Sequence, residues 1–465
     1  MRDNRDNNAN INLESEIKSS VEMIKSRVGE TGKVIVLVSG GVDSMVTSAL
    51  LLKALPAENI YAIHVDHGFM RKNESSSIHE SINKLGFKNL AIVNAQEAFL
   101  NERVEIGEID GKLAPPLCEV KEPELKRKIV GNMFIEIVKK AADTFNLDYN
   151  ATFIAQGTLK PDLLESGNKD VSKSGNRVKT HHNDVDIVRK ARERGMIIET
   201  NWNWYKEDVR QIARILGLNE ETASRQPFPG PGLAVRQICA NKEVTVSDDM
   251  KNKFDEFMRD KTLNGVIAPI LSVGVDGDMR SYKNLCVLSQ SCSDSDSGGL
   301  YTDFDTASKL SAEITNNNSQ LNFITRCVYV LNRADIRELT RNDLTMAKKN
   351  TDILREIDYI ITSGISKWLS DTGKSSNAIS QYFGILVPIS TVATDTTDTA
   401  NKKYSAVIRA VLTSDFMTAK SAIPGKDIPV EVIRGIADRI EAELPEIDLV
   451  LYDMTDKPPA TVEWE

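Results

Sequence analysis

The chain has 465 residues, with 58 Lys and Arg against 67 Asp and Glu, a net charge of −9 and 41% hydrophobic residues. This balance fits a globular protein of two or three domains. It supplies no long basic stripe for a nucleic-acid duplex, and the sequence contains no run of 18 apolar residues that would suggest a membrane helix.

The polar, Asn-rich start MRDNRDNNANINLES lacks the apolar core of a signal peptide and reads as a disordered lead-in. From residue 33 strands and helices alternate. KVIVLVSG (33–40) is a continuous apolar run closed by glycines, the pattern of a buried parallel strand, and an apolar helix is predicted at about 43–54. A second strand (59–68), a helix closed by Gly86 (76–86), a third strand (88–95), a long helix (122–145) and a further strand (151–158) follow. The rhythm implies a parallel sheet covered by helices on both faces. The polar, basic stretch 167–185 breaks it and reads either as an active-site lid or as a surface excursion.

RQPFPGPGLAVR (225–236), with three prolines and two glycines, marks a domain boundary. Beyond it, strand-like runs at LAVRQIC, PILSVGV, CVYVL, GILVPIS, SAVIRAVL and DLVLYDM alternate with helices near 247–260, 303–316, 346–362 and 430–443. This predicts an α+β region with antiparallel sheet, whose order suggests an internal duplication with halves 237–320 and 321–465. The tracts 290–299 and 391–403 read as exposed loops. Cys118, Cys239, Cys286, Cys292 and Cys327 are scattered without a CxxC pair, as free thiols in a reducing, cytoplasmic compartment would be. All five histidines (His64, His67, His79, His181 and His182) lie in the N-terminal half, which gives a Cys–His–Glu glutaminase constellation little support.

The chemistry is carried by SGGVDS, Ser39 to Ser44, between the first strand and the first helix. Backbone amides at a helix N-terminus, together with the helix dipole, suit a phosphate anion. Gly40 and Gly41 allow close backbone approach, and Ser39 and Ser44 add hydroxyls. Asp43 is unfavourable beside a pyrophosphate unless a metal lies between them, so it is the candidate Mg²⁺ ligand. No lysine of the GxxxxGK[ST] type is present in the loop.

SGGVDS in this setting resembles the PP-loop ATP pyrophosphatases, which have an adenine nucleotide alpha hydrolase-like fold. VDHGFMRKNES (65–75), PELKRKIVGNMF (123–134), IAQGTLKPDLLES (154–166), KTHHND (179–184), YKEDVR (205–210), VGVDGDMRSY (273–282), RAVLTSDFMTA (409–419) and YDMTDKPPATVEWE (452–465) extend the likeness, in order, to the synthetase region of the GMP synthase family. The long second half is similar to the eukaryotic type. The resemblance implies an N-terminal extension and first helix (1–32), an ATP pyrophosphatase domain (33–236), and a dimerisation and nucleotide-substrate domain (237–465).

It further implies a C–N ligase of purine biosynthesis that aminates xanthosine monophosphate through an adenylated intermediate, with Mg²⁺ as cofactor and ATP as co-substrate. ATP would meet Ser39, Gly40, Gly41, Val42, Asp43, Ser44, Val65, Asp66, Gly157 and Lys206. Lys179, His181 and His182 would close over the reacting centre, joining Asp43 and Lys206 in catalysis. Arg127, Asp278, Gln381, Lys457 and Glu463 would hold the second nucleotide, with the C-terminal KPPATVEWE tucked into its site. Deleting 457–465 would then raise the Michaelis constant of that nucleotide far more than that of ATP.

Only 32 residues precede the first strand, so a glutaminase domain is expected to be absent and ammonia to come from solution or a separate glutaminase subunit. A homodimer through 237–465 is expected, with no nucleic-acid or membrane partner. Gln226 replaces the family's His in RHPFPGPG, and ETNWNWYKEDVR departs from the family at Thr200, Asn201, Trp202 and Trp204. These departures keep two competing expectations open: a paralogue for another purine nucleotide or amine, and a catalytically weak regulatory subunit.

Overall fold

The apolar run that begins at Lys33 is buried because its strand, β1 (Lys33–Leu37), has a partner on each side. The computed structural model describes residues 3–106, 113–148, 150–159, 191–240, 244–276, 279–291, 304–316, 319–375, 378–392, 403–413 and 418–465, with side chains from residue 12 onward. β1 pairs in parallel with β2 (Ile60–Asp66) and with β4 (Thr152–Gln156). β3 (Asn89–Asn94) and β5 (Ile197–Glu199) complete a five-stranded parallel sheet in the order β3-β2-β1-β4-β5. The chain divides into two compact units at Gly230 and Pro231, inside the proline-rich segment, with residues 100–103 and 113–128 counted in the second unit.

In the first unit the polar lead-in is helical rather than disordered. Helix α1 (Asp3–Val28) places Leu13, Ile17, Ile24 and Val28 on one stripe, and these join the core cluster. The Asn-rich opening masks that stripe in the sequence, and tertiary burial supplies the stability the local composition lacks. α2 (Val42–Ala54) buries nine of its 13 residues, which explains its nearly all-round apolar sequence. α3 (Glu74–Leu85) and α4 (Gln96–Asn101) follow in the crossovers. α5 (Pro123–Asp143) precedes β4. α6 (Lys206–Ile215) and α7 (Glu220–Ala223) end the unit. Trp204 packs in the same cluster as the α1 stripe, and its indole N–H donates to Glu16 of α1.

The second unit holds a seven-stranded sheet that is mixed, not purely antiparallel. Helix α8 (Asp248–Met258) leads into the antiparallel pair β6 (Leu263–Asp276) and β7 (Met279–Gln290). A crossover through α9 (Phe304–Asn316) then returns β8 (Ile324–Val330) parallel to β7. The short strand β9 (Thr340–Arg341) comes next, then helix α10 (Lys348–Asp371), which runs past residue 362 because Ile365, Trp368 and Leu369 continue its buried face. Strand β10 (Gln381–Val387) follows, and β11 (Ile389–Ser390) pairs with β9. β12 (Tyr404–Leu412) lies antiparallel to β10, and β13 (Lys420–Ser421) adds to β12. After helix α11 (Val430–Glu443), β14 (Ile447–Asp453) returns parallel to β12. Helix, hairpin, helix and parallel strand thus occur twice, joined where β8 meets β14 antiparallel. The parallel pairs arise because each helix crossover reverses the chain between two strands.

LAVRQIC is not a strand. Gly232–Val235 form a 3-10 turn, and only Gln237 bridges to Leu386. Its apolar residues are buried, but the carbonyls of Ala234 and Gln237 accept hydrogen bonds from Lys126 Nζ at 3.2 and 2.8 Å, so these acceptors are taken without a ladder.

Candidate active site

The chain leaves β1 and enters α2 through Ser39–Ser44. Gly40 has φ +80°, and a Cβ there would lie 2.3 Å from Ile78 Cγ1, so the loop closes only with glycine at this position. Gly41 is the N-cap of α2 and offers no side-chain cap bond, which leaves the first amides of the helix available to an anion. The hydroxyls of Ser39 and Ser44 stand 3.3 Å apart across the loop, and Ser44 Oγ donates to the Gly41 carbonyl at 2.9 Å.

Asp43 occupies the first turn of α2. Its Oδ2 accepts from Lys206 Nζ at 2.6 Å, while its Oδ1 is buried and has no hydrogen-bond partner among the described residues. Lys206 is the first residue of α6, and the backbone N–H of the N-cap Tyr205 donates to Asp208 Oδ2 at 2.9 Å. Two helix starts therefore converge on one carboxylate. Its backbone is fixed by three neighbours: Thr47 Oγ1 donates to Asp43 O at 2.9 Å, Asn201 Nδ2 donates to the same oxygen at 3.2 Å, and Thr200 Oγ1 bonds both Thr47 Oγ1 and Asn201 Oδ1 at 2.8 Å. Gly157, just beyond β4, is packed against this group, and a Cβ there would come within 2.9 Å of Asp43 O and Thr47 Oγ1. Gly157→Ala should displace the first turn of α2 and lower the ATP turnover expected from the sequence about 10²-fold, measured as pyrophosphate release, with the variant still folded by circular dichroism.

Two side chains outside the loop hold its carbonyls. His64 Nδ1 donates to Val38 O at 2.7 Å, and Arg225 Nη1 donates to Gly40 O at 2.8 Å. Burial penalises the charged imidazole of His64 and holds its pKa below the usual 6.5, against the opposing pull of the Val38 carbonyl. The unfolded chain therefore binds a proton more readily than the folded one, so stability should fall as pH drops below about 6.5, by at most about 1.4 kcal/mol per pH unit from this residue. His64→Asn, which retains a donor for Val38, should flatten that part of the pH–stability curve in urea titrations. At the end of β2, burial opposes ionisation of Asp66, but Gly68 N–H (3.0 Å) and Gln96 Nε2 (2.9 Å) hold its carboxyl below the usual range.

Within the second unit the last residues run against β6. Val275 N–H donates to Pro459 O at 2.8 Å, Val273 N–H donates to Trp464 O at 3.1 Å, and Gly274 bridges to Ala460. Arg236 holds Glu463 through two bonds of 2.9 Å, and Lys126 pairs with the buried Glu465. Arg326 bonds Asp453 at 2.7 Å and the carbonyls of Thr461 and Glu463 at 3.1 and 3.2 Å, with its guanidinium over the Trp464 ring. A cavity of about 150 Å³ in this unit is lined by Glu122, Glu124, Cys239, Tyr282, Arg341 and Glu465 among others. Burial pushes the Cys239 thiol up to about 11, so it is an inert thiol.

Of the residues expected to bind ATP, the structure gathers Ser39, Gly40, Gly41, Val42, Asp43, Ser44, Gly157 and Lys206 in one place, with Val65 and Asp66 at the end of the neighbouring strand β2. Lys179, His181, His182, Asp278 and the proposed lid lie outside the described residues, as does Cys292. In the second unit Glu463 is engaged by Arg236, Lys457 bridges backbone to backbone with Ala419, Gln381 opens β10 opposite Val411, and Arg127 lies among Glu124, Arg280 and Tyr282. Thr47, Thr200, Asn201 and Arg225 have site contacts that sequence reasoning did not assign. Arg225 stands in a segment read as a boundary and as a family departure at Gln226, and Asn201 in one read as a departure.

The NAD synthase family model matches residues 16–111, which hold β1, the loop and α2, and the GMP synthase C terminal domain model matches residues 369–464. The first unit is therefore a PP-loop nucleotide-binding domain of the synthetase type. GMP synthase (glutamine-hydrolyzing) of Dictyostelium discoideum is 33% identical over 98% of this chain and 66% of its own length. Probable GMP synthase (glutamine-hydrolyzing) of Leptospira interrogans is 34% identical over 97% of this chain and 67% of its own. Among solved structures, NMN synthetase from Francisella tularensis is similar over 53% of this chain and 86% of that one, at 15% identity and a TM-score of 0.32. The chain belongs to the GMP synthase family, a family of C–N ligases, and spans about two thirds of the length of these curated relatives. Among the described residues no helix is long and apolar enough to cross a membrane.

Proposed function

We propose that this chain carries out the synthetase half-reactions of GMP formation: ATP adenylates the 2-oxygen of xanthosine monophosphate, pyrophosphate leaves, and ammonia displaces AMP. The observation that carries this reading is the Asp43 carboxylate at an uncapped helix start, with one oxygen on Lys206 at 2.6 Å and the other buried without a partner among the described residues. An orphaned, buried carboxylate oxygen is costly until a cation or donor meets it. Mg²⁺ fits this position, because it is commonly held by one or two carboxylates with substrate phosphates and water completing its shell. Asp43 would hold it, and when bound the ion would neutralise charge on the leaving pyrophosphate.

The chain's own groups divide the remaining work. The amides after Gly40 and the hydroxyls of Ser39 and Ser44 cradle the leaving pyrophosphate. Lys206 exchanges its carboxylate partner for phosphate oxygen. Val65 and Asp66 stand beside the adenosine. Arg127, Asp278, Gln381, Lys457 and Glu463 are the groups proposed for the second nucleotide, and Lys179, His181 and His182 for closing the centre against water. Ammonia would be taken free or from a partner glutaminase. Pyrophosphate release from ATP and Mg²⁺, with ammonium and each of a panel of purine nucleotides, tests the reading. GMP formed with xanthosine monophosphate alone supports it, and turnover only with another nucleotide overturns it. The protein should also be a homodimer through its second unit; light scattering at micromolar concentration should give twice the chain mass, and a monomer mass would refute the assembly.

A further inference from the structure

The Gly40 carbonyl belongs to the peptide between Gly40 and Gly41. A peptide is planar, so its C=O and the following N–H point in opposite directions. This plane has glycine on both sides and therefore meets less steric resistance to turning over than any other plane in the loop. In the observed orientation Gly41 N–H faces the Ser39 hydroxyl at 3.4 Å, and the carbonyl faces away, towards Arg225. Turned over, the same plane would present the negative end of a carbonyl where an anion has to sit.

One side chain prevents this. Arg225 Nη1 donates to Gly40 O at 2.8 Å and lies 3.9 Å from Glu74 Oε1, and Nη2 lies 3.7 Å from Glu221 Oε1. The arginine side chain is only 10% exposed, and Glu74 is itself held by the Arg71 N–H on Oε2 at 3.0 Å. Two carboxylates thus stand within ion-pair range and balance the guanidinium's charge, Glu74 beside Nη1 and Glu221 beside Nη2, while the same Nη1 holds the loop carbonyl. Val38 O has a comparable bond from His64, but the Val38–Ser39 peptide is flanked by side chains that already restrict it.

We propose that Arg225 is a positioning residue of the pyrophosphate loop, which holds the Gly40–Gly41 peptide with its N–H towards the anion. The role rests on the loop binding pyrophosphate, as proposed above. Arg225 would act through backbone orientation and not by touching phosphate.

The test is calorimetric titration of the full chain with magnesium pyrophosphate, using the wild type, Arg225→Met, which keeps the stem but donates nothing, and Arg225→Lys, which keeps one donor. Arg225→Met should bind at least about tenfold more weakly and Arg225→Lys within about threefold of wild type, the scale of one lost charge-assisted hydrogen bond. In steady-state assays Arg225→Met should raise the Michaelis constant for ATP and leave that for the second nucleotide unchanged. Wild-type affinity in Arg225→Met would overturn the role. So would equal weakening in both variants with both Michaelis constants moving together, the pattern of a general structural defect. If the wild type itself does not bind magnesium pyrophosphate, the reading of the loop falls and takes this role with it.

Discussion

Asp43→Ala should lower pyrophosphate release from ATP by at least about 10³-fold while leaving the protein folded, because it removes the carboxylate on which two helix starts converge. The fold does not depend on that carboxylate. Its pair with Lys206 has side chains 30% and 28% exposed, a setting in which an ion pair contributes about 1 kcal/mol or less. Alanine is also compatible with the first turn of α2, and the bonds from Thr47 and Asn201 go to the Asp43 backbone oxygen, which the substitution keeps. Pyrophosphate release and thermal unfolding by circular dichroism, measured on the same preparation, separate the two effects. A variant that melts normally and still releases pyrophosphate at the wild-type rate would remove Asp43 from the chemistry.

Deleting residues 457–465 should unfold the second unit, not selectively weaken nucleotide binding. The segment supplies Trp464, fully buried, whose indole donates to Asp453 Oδ2 at 3.0 Å. It also supplies both oxygens of Glu463 to Arg236 and the carboxylate of Glu465 to Lys126. Removing one member of a buried ion pair costs about 3–5 kcal/mol, and losing a buried tryptophan costs a similar about 3–5 kcal/mol. Against a typical domain stability of about 5–15 kcal/mol, these losses are enough to abolish folding. Urea unfolding of the deletion variant should show no cooperative transition for this unit. A variant that unfolds with the wild-type midpoint and shows only a raised Michaelis constant would restore the purely ligand-binding role. The sequence alone pointed to substrate because the KPPATVEWE segment matches the family there. It could not show that the same residues complete a core.

The first unit was the more legible half. Its strands are short and apolar, and glycines follow β1, β2 and β4, so β2, β3 and β4 fall within two residues of their predicted spans and β1 within three. The loop was legible because Ser, Gly and Asp carry distinct chemistry at fixed offsets. Asn201 and Thr200 were not, because Asn201 donates to a backbone oxygen 158 residues away and Thr200 meets a hydroxyl 153 residues away, and no local pattern encodes such contacts. Arg225 was hidden by its proline-rich neighbours, which signal a boundary more loudly than one arginine signals a site. In the second unit, periodicity located most strands but not their direction, since parallel and antiparallel partners bury the same alternation. LAVRQIC is apolar for burial, and its carbonyls are met by a lysine side chain that the sequence places more than 100 residues earlier.

The repeated topology of the second unit has a consequence for how that unit opens. Within the sheet its two halves meet in an antiparallel ladder, Val328, Tyr329 and Val330 of β8 facing Asp453, Tyr452 and Leu451 of β14, and the C-terminal residues that run against β6 join them a second time. Arg326 of β8 binds the buried Asp453 of β14 across the seam, and Arg409 of β12 binds the same carboxylate from within the second half, so the seam is tied by charge as well as by backbone. Neither half can peel away without baring a central strand and stranding a buried carboxylate or its arginines. Amide protons at this seam should therefore exchange with solvent only when the unit unfolds as a whole.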